Sequence, residues 1–356
     1  MFIEKLEFKN LRNLEDGELL LNENINILYG DNAQGKTNLL EAIYFAAIGR
    51  SHRTNNYKEL IKFGETETLI SLVTFNADTR IKIHLTKNLK EIYVDSFKIK
   101  KLGELFGNLL VVIFSPEDLD LVKHGPNLRR KFIDLTLCQL SKVYYYDLGL
   151  YYKTLNQRNN LLKKKDKDIS TIFLWDEQLA TYGEKIMNYR QNYIKEINEF
   201  ASIIHSDITN GKETLEILYK PNVNINLQGG LKEKLEKNLE RDILLKTTTS
   251  GIHRDDILVT INGLEAKTYG SQGQQRTASL AMKLSTVLHI HKEKELYPIV
   301  LLDDVFSELD KNRQEFLLKS LKGQVIITCT GVEDFLKDLN YDMKKIKEGK
   351  IYEQRS

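Results

Sequence analysis

The sequence predicts an α/β fold in which one lobe carries a mixed, largely parallel sheet and a helical lobe is inserted into it. Three observations predict this. Apolar, β-branched runs at residues 25–29, 109–114, 299–302 and 325–327 read as strands buried on both faces, and they alternate with helical stretches. The first of them feeds Gly30-Asp31-Asn32-Ala33-Gln34-Gly35-Lys36-Thr37, a complete phosphate-binding loop followed by an apolar helix. From Ser115-Pro116 onward the pattern turns helical and rich in Tyr, Lys, Asn and Gln, and strand signals return only at 214–218.

Taken in order, residues 3–8 alternate in the strand manner, and 19–21 read as a second short strand. Residues 37–48 form a helix that is apolar nearly all round and therefore buried. The stretches 70–75, 80–85 and 91–94 read as antiparallel strands. Residues 117–212 form the helical lobe, with a charged break between two helices at 163–167. A strand at 257–261, a long helix over 274–294 and the two buried strands already named complete the chain. The predicted boundaries are 1–116 with 213–356 for the sheet-bearing lobe and 117–212 for the helices.

Bulk properties exclude several classes. The 356 residues hold 52 Lys or Arg against 50 Asp or Glu, so the sum of charge neither demands nor forbids a nucleic-acid partner. Cys138 and Cys329 lie far apart, which argues against a disulfide framework or zinc site and fits a cytoplasmic protein. The first residues lack a signal-peptide pattern, and no apolar run reaches the about 18 residues a membrane span needs, so no membrane partner is expected.

The chemistry starts at the phosphate-binding loop. Gly30 and Gly35 free the backbone so that several N–H groups, from Asp31, Asn32, Ala33 and Gln34 among others, can converge on a phosphate of ATP. Lys36 supplies positive charge to the β- and γ-phosphates, and the Thr37 hydroxyl ligates Mg2+. Ile299-Val300-Leu301-Leu302-Asp303-Asp304 is an apolar strand ending in two carboxylates. Asp303 is expected at the magnesium, directly or through water, and Asp304, with Lys36, is the catalytic candidate, orienting the attacking water.

A third element concerns assembly. Ser271-Gln272-Gly273-Gln274-Gln275 opens the long helix, and a serine, a glycine and a helix N-terminus make a second anion site. One nucleotide has one triphosphate, so two phosphate-grasping loops in one chain suggest that two copies face each other. Ser271, Gly273 and Gln274 would then close on the ATP held by the partner copy's loop. The bland alternative is an ordinary loop. Ser307-Glu308-Leu309-Asp310 would lie at the same interface, although Asp310 is adequately explained as the cap of the helix after it.

In this combination and order the motifs resemble the ABC-type ATPase heads of the SMC kind, and most closely the RecF family. Further stretches carry the resemblance: Lys9-Asn10-Leu11-Arg12-Asn13-Leu14, Phe114-Ser115-Pro116-Glu117-Asp118-Leu119, Gly125-Pro126-Asn127-Leu128-Arg129-Arg130 and Ser250-Gly251-Ile252-His253-Arg254-Asp255-Asp256. The resemblance implies an ATP-dependent homodimer that binds DNA, prefers single-strand/double-strand junctions and works with RecO and RecR in recombinational repair, replication and the SOS response. It also implies weak ATP hydrolysis used as a switch, and a site for Arg12 near the nucleotide. The chain departs from the pattern at Ile252, where proline is usual. Residues 327–330 offer hydroxyls in place of a switch histidine, no Gln follows the strand at 109–114, and Asp304 stands where relatives carry Glu.

Residues 121–170 contain eleven Lys or Arg and four Asp. Phosphate contacts by Lys163, Lys164 and Lys165 are the DNA-binding candidates, with bases stacking on the interleaved tyrosines 144, 145, 146, 151 and 152. The bland readings are a solvated lysine face and a tyrosine core. His253 and Arg254 read equally as a pair bracing a loop, and Arg50, His52 and Arg53 face ATP or DNA or cap a helix. Two rival functions are the ATPase subunit of a membrane transporter and a small-molecule P-loop kinase. The basic helical insertion and missing switch histidine argue against the first, and the Ser271 loop against the second.

Overall fold

The computed structural model describes residues 1–75, 79–164, 170–224, 229–331 and 341–353. They group into two compact units, Met1–Leu119 with Thr286–Ser356, and Asp120–Ser285.

The first unit holds two six-stranded sheets. One is the predicted buried sheet. Its members are β3 (Ile25–Tyr29), β8 (Val111–Phe114), β12 (Ile299–Asp303), β13 (Val325–Cys329), β14 (Tyr341–Lys347) and β15 (Lys350–Glu353), in the order β15-β14-β3-β13-β12-β8. All neighbouring pairs are parallel except β14 with β15, so the sheet is mixed as predicted. Every residue of β8, β12 and β13 is buried, because a parallel sheet is covered on both faces. The other sheet is wholly antiparallel, β2-β1-β4-β5-β6-β7, and is built from β1 (Ile3–Lys9), β2 (Gly17–Leu20), β4 (Glu67–Thr74), β5 (Arg80–Thr86), β6 (Lys90–Val94) and β7 (Phe97–Lys98). Its alternating sequence buries one face only.

Helix α1 (Lys36–Ile48) touches β4 and β5 of one sheet and β8, β12 and β13 of the other. Apolar residues on nearly every side suit it to that sandwiched place, and Gly49 ends it in the left-handed conformation at φ +71°. Helix α9 (Lys311–Ser320) starts at Asp310, whose side chain accepts the Arg313 N–H at 3.0 Å, so the capping role suggested for Asp310 is present.

The second unit contains α2 (Pro126–Leu140), α3 (Lys142–Lys163), α4 (Ile172–Ile208), α5 (Gly230–Lys237), α6 (Leu239–Leu245), α7 (Ala266–Tyr269) and most of α8 (Gln272–Lys294). It also contains a three-stranded antiparallel sheet of β9 (Leu215–Lys220), β10 (Asp256–Ile261) and β11 (Leu264–Glu265). The described residues of 213–285, assigned to the ATPase lobe on sequence grounds, group with this unit. The reason is visible in β9, which runs along α4: Ser202 Oγ donates to the Leu215 carbonyl at 2.6 Å and the Ile217 N–H to Asn198 Oδ1 at 2.6 Å.

Two fully buried arginines organise this unit. Arg158 reaches Asp176 at 2.5 Å and Asp242 at 2.6 Å, and Arg190 binds Asp134, Asp255 and the Ile252 carbonyl. A buried charge is tolerated only with such a set of partners.

Candidate nucleotide site

The loop between β3 and α1 is shaped by its glycines. At Gly30, φ is +150° and an added Cβ would come within 2.2 Å of the Ile346 carbonyl oxygen. At Gly35, φ is +111° and a Cβ would meet Leu14 Cδ2 at 2.4 Å. Both positions therefore exclude side chains, which is what a backbone cradle requires. Lys36 folds its ammonium into the loop, donating to the carbonyls of Gly30 and, at 2.7 Å, Asp31. Burial lowers its pKa, and the nearby carboxylates of Asp304, Asp31 and Asp303 act in the opposite direction.

The loop is braced from two directions. Asn13 Nδ2 donates to the Ala33 carbonyl at 3.0 Å, and Asn38 Nδ2 to Asn13 Oδ1 at 2.6 Å. The turn joining β14 and β15 holds Gln34 by two bonds: the Glu348 N–H donates to its Oε1 at 2.5 Å and the Gly349 N–H to its carbonyl at 3.2 Å. Asp31 and Asn32 are exposed at the loop's crest.

Asp303 ends β12 beside this loop. The hydroxyls of Thr37 and Thr328 both donate to its Oδ1, at 2.8 and 2.9 Å. A hydroxyl and a carboxylate oxygen brought together in this way are hard oxygen donors of the kind magnesium takes, so the residues fit the ion. Asp304 follows in the left-handed conformation at φ +52°, and its N–H donates to Thr328 Oγ1 at 3.0 Å. Burial raises the Asp304 pKa, with the Asp303 charge adding to it and Lys36 opposing. The Thr328 hydroxyl thus joins the Asp303 carboxylate to the Asp304 backbone N–H.

His52 stands on the far side of Asp303, Nε2 to Oδ2 4.0 Å, with its ring edge-on to Tyr44. Its side chain is only 8% exposed and, among the described residues, neither ring nitrogen has a hydrogen-bond partner, while burial lowers its pKa. Of the three residues flagged after α1, His52 therefore faces the carboxylate. Arg53 donates to Asn38 Oδ1 at 2.9 Å, and Arg50 is exposed.

Arg12 is anchored rather than free. Its guanidinium makes two bonds to Glu41, at 3.0 and 2.8 Å, and Glu41 is fully buried on α1. The Ser51 hydroxyl adds a third bond to Glu41 at 2.5 Å, and Arg53 lies 3.6 Å away. Burial alone would raise the Glu41 pKa, but these donors overcome it and hold it below the ordinary value. Glu41 attracted no notice in the sequence, since an acid inside an apolar helix has no partner at helical spacing.

In the second unit, Ser271 sits at the N-terminus of α8, with Gly273 and Gln274 in its first turn. The Gln274 N–H donates to Ser271 Oγ at 3.2 Å and the Ser271 N–H to Gln274 Oε1 at 2.9 Å, a reciprocal capping box. The S-x-x-Q spacing could have announced it. Ser271 remains exposed.

Of the DNA candidates, Lys163 and Lys164 are exposed at the end of α3, and Lys165 lies outside the described residues. Tyr144 and Tyr151 are core residues at 0% exposure, so they do not stack on bases as an open tyrosine row would. Tyr146 and Tyr152 are exposed. Arg129 and Arg158, counted in the basic stretch, are buried and paired with Asp256 and with Asp176 and Asp242. His253 accepts the Tyr151 hydroxyl at Nδ1 (2.9 Å) and donates from Nε2 to the Thr248 carbonyl (3.0 Å), the bracing role.

Comparison with known proteins agrees with this geometry. Residues 2–348 match the family model described as RecF/RecN/SMC N terminal domain. A DNA replication and repair protein RecF from Clostridium tetani is 46% identical over 99% of this chain and 100% of its own length. One of the same description from Lachnoclostridium phytofermentans is 44% identical over 99% and 97%. A solved structure of the recombination mediator protein RecF with ATP superposes with a TM-score of 0.91 at 37% identity, covering 99% of this chain and 98% of that one. An SMC head bound to a winged-helix domain of ScpA, at TM-score 0.58 and 14% identity, shares the fold. The chain belongs to the RecF family, on the ABC/SMC-type ATPase fold.

Proposed function

We propose that this chain is an ATP-gated DNA-binding protein of recombinational repair and replication-gap processing, in which ATP joins two copies head to head on single-stranded or junction DNA. The observation that carries the reading is the coexistence of a braced phosphate loop, welded to Asp303 through Thr37, with an exposed Ser271 at the head of another helix. In one copy the loop from Gly30 to Thr37 holds the triphosphate, Arg12 lies near the nucleotide, and Thr37 and Asp303 hold magnesium. When bound, magnesium supplies charge neutralisation at the phosphates. Ser271, Gly273 and Gln274 of the other copy meet the γ-phosphate side. Hydrolysis, with Asp304 orienting water, is slow and resets the dimer.

The ATP-bound RecF structures and the RecF relatives support ATP binding and a repair role. Placement in a pathway named RecFOR for those structures supports RecO and RecR as partners. Lys163, Lys164 and Lys165 are proposed to touch DNA phosphates. A cytoplasmic location fits this role, and no described helix is long and apolar enough to cross a membrane. Neither rival, transporter subunit or small-molecule kinase, draws support from these relatives.

The test is Ser271→Arg. It is expected to bind ATP as the parent does and to stay monomeric with ATP in light scattering. ATP-driven dimerisation at the parent's concentration range would reject the composite site.

A further inference from the structure

The capping box leaves one end of the Gln274 amide unused, because its oxygen is taken by the Ser271 N–H. That end does not point to solvent. Gln274 Nε2 donates to Glu213 Oε1 at 2.8 Å, and the other Glu213 oxygen accepts from His205 Nε2 at 3.0 Å. His205 is fully buried in the last turn of α4, the longest helix of the chain at 37 residues. Glu213 is itself held in the short link between α4 and β9, where the neighbouring Thr214 N–H bonds to Asn262 Oδ1 at 2.8 Å. An unbroken chain of hydrogen bonds therefore runs from the exposed serine, through one glutamine and one carboxylate, into the helical core. A carboxylate with both oxygens engaged by donors is a stiff connector, since charge-assisted bonds are the stronger kind. A capping box alone would need no third residue.

We infer that Glu213 and His205 are positioning residues for the serine loop, fixing Ser271 and Gln274 to the end of α4 so that the loop is set before it meets ATP on the partner copy. The inference rests on the reading that Ser271 contacts that ATP. It assigns a task to residues outside the nucleotide-binding motifs. It also makes the long helix the element against which the trans contact is aligned.

The test compares Glu213→Ala, Glu213→Gln and Ser271→Arg in the full chain. ATP-driven dimerisation is followed by sedimentation, and ATP binding to the single chain by a fluorescent ATP analogue. Glu213→Ala is expected to weaken dimerisation roughly tenfold, within the usual span of coupling between sites, and to leave analogue binding within about twofold. Glu213→Gln keeps an oxygen for Gln274 and recovers most of the loss. If Glu213→Ala does not fold, His205→Gln carries the same expectation. Normal dimerisation of Glu213→Ala (or of His205→Gln in its stead) beside a monomeric Ser271→Arg overturns the positioning role alone. Normal dimerisation of both overturns the composite site as well.

Discussion

Removing the Glu41 carboxylate is the sharpest perturbation of the first unit. Glu41 has no exposed surface and takes two bonds from Arg12, one from Ser51 and a close approach from Arg53. In Glu41→Ala the Arg12 guanidinium, whose side chain is 19% exposed, keeps its charge and loses two charge-assisted bonds. Breaking a buried pair from one side costs about 3–5 kcal/mol. Partial exposure of Arg12, with Glu59 3.9 Å away, puts the expected loss near the lower end, about 3 kcal/mol. That is a large share of a typical domain's stability of about 5–15 kcal/mol. Urea unfolding read by fluorescence measures it. The double variant Arg12→Ala/Glu41→Ala should be more stable than Glu41→Ala, because no orphaned charge remains. ATP affinity should fall in both, since Arg12 is lost or unanchored. A loss below about 1 kcal/mol in Glu41→Ala, or a double variant no better than the single, would refute the reasoning.

Other consequences follow from single sites. Gly30→Ala should lower ATP affinity tenfold or more and cost about 2 kcal/mol, because the new methyl meets the Ile346 carbonyl at a disallowed distance; isothermal calorimetry and thermal unfolding check both. His253 is held neutral, its pKa lowered by burial to about 4. The unfolded state then binds the extra proton first, so stability is full above about pH 6.5 and is lost as pH falls towards 4, by roughly 3 kcal/mol at most. His253→Gln should flatten that part of a pH–stability curve. Lys163→Ala/Lys164→Ala should reduce the slope of log affinity for single-stranded DNA against log salt by about 1.4; an unchanged slope would remove these residues from the DNA contact.

The parts legible in the sequence are local. The glycine-framed loop, the apolar strands buried on both faces and the Asp310 cap each follow from neighbours a few residues apart. What escaped depends on distant pairing. Glu41 looks misplaced in an apolar helix until Arg12 arrives from another strand's end. No strand is read in the sequence at 341–353, yet β14 is the parallel neighbour of β3 and its turn grips Gln34. The tyrosine and arginine content of 121–170 looked like a nucleic-acid surface, but Tyr144, Tyr151, Arg129 and Arg158 are spent on the interior. Composition counts charges without telling a paired buried arginine from a free one.

The central claim is that ATP joins two copies. Light scattering of the parent chain with ATP or ADP, each with and without gapped DNA, tests it most directly. The account predicts a monomer with ADP, a dimer with ATP and a stronger dimer with ATP and gapped DNA together. A chain that stays monomeric with ATP and DNA, or that dimerises equally with ADP, would contradict it.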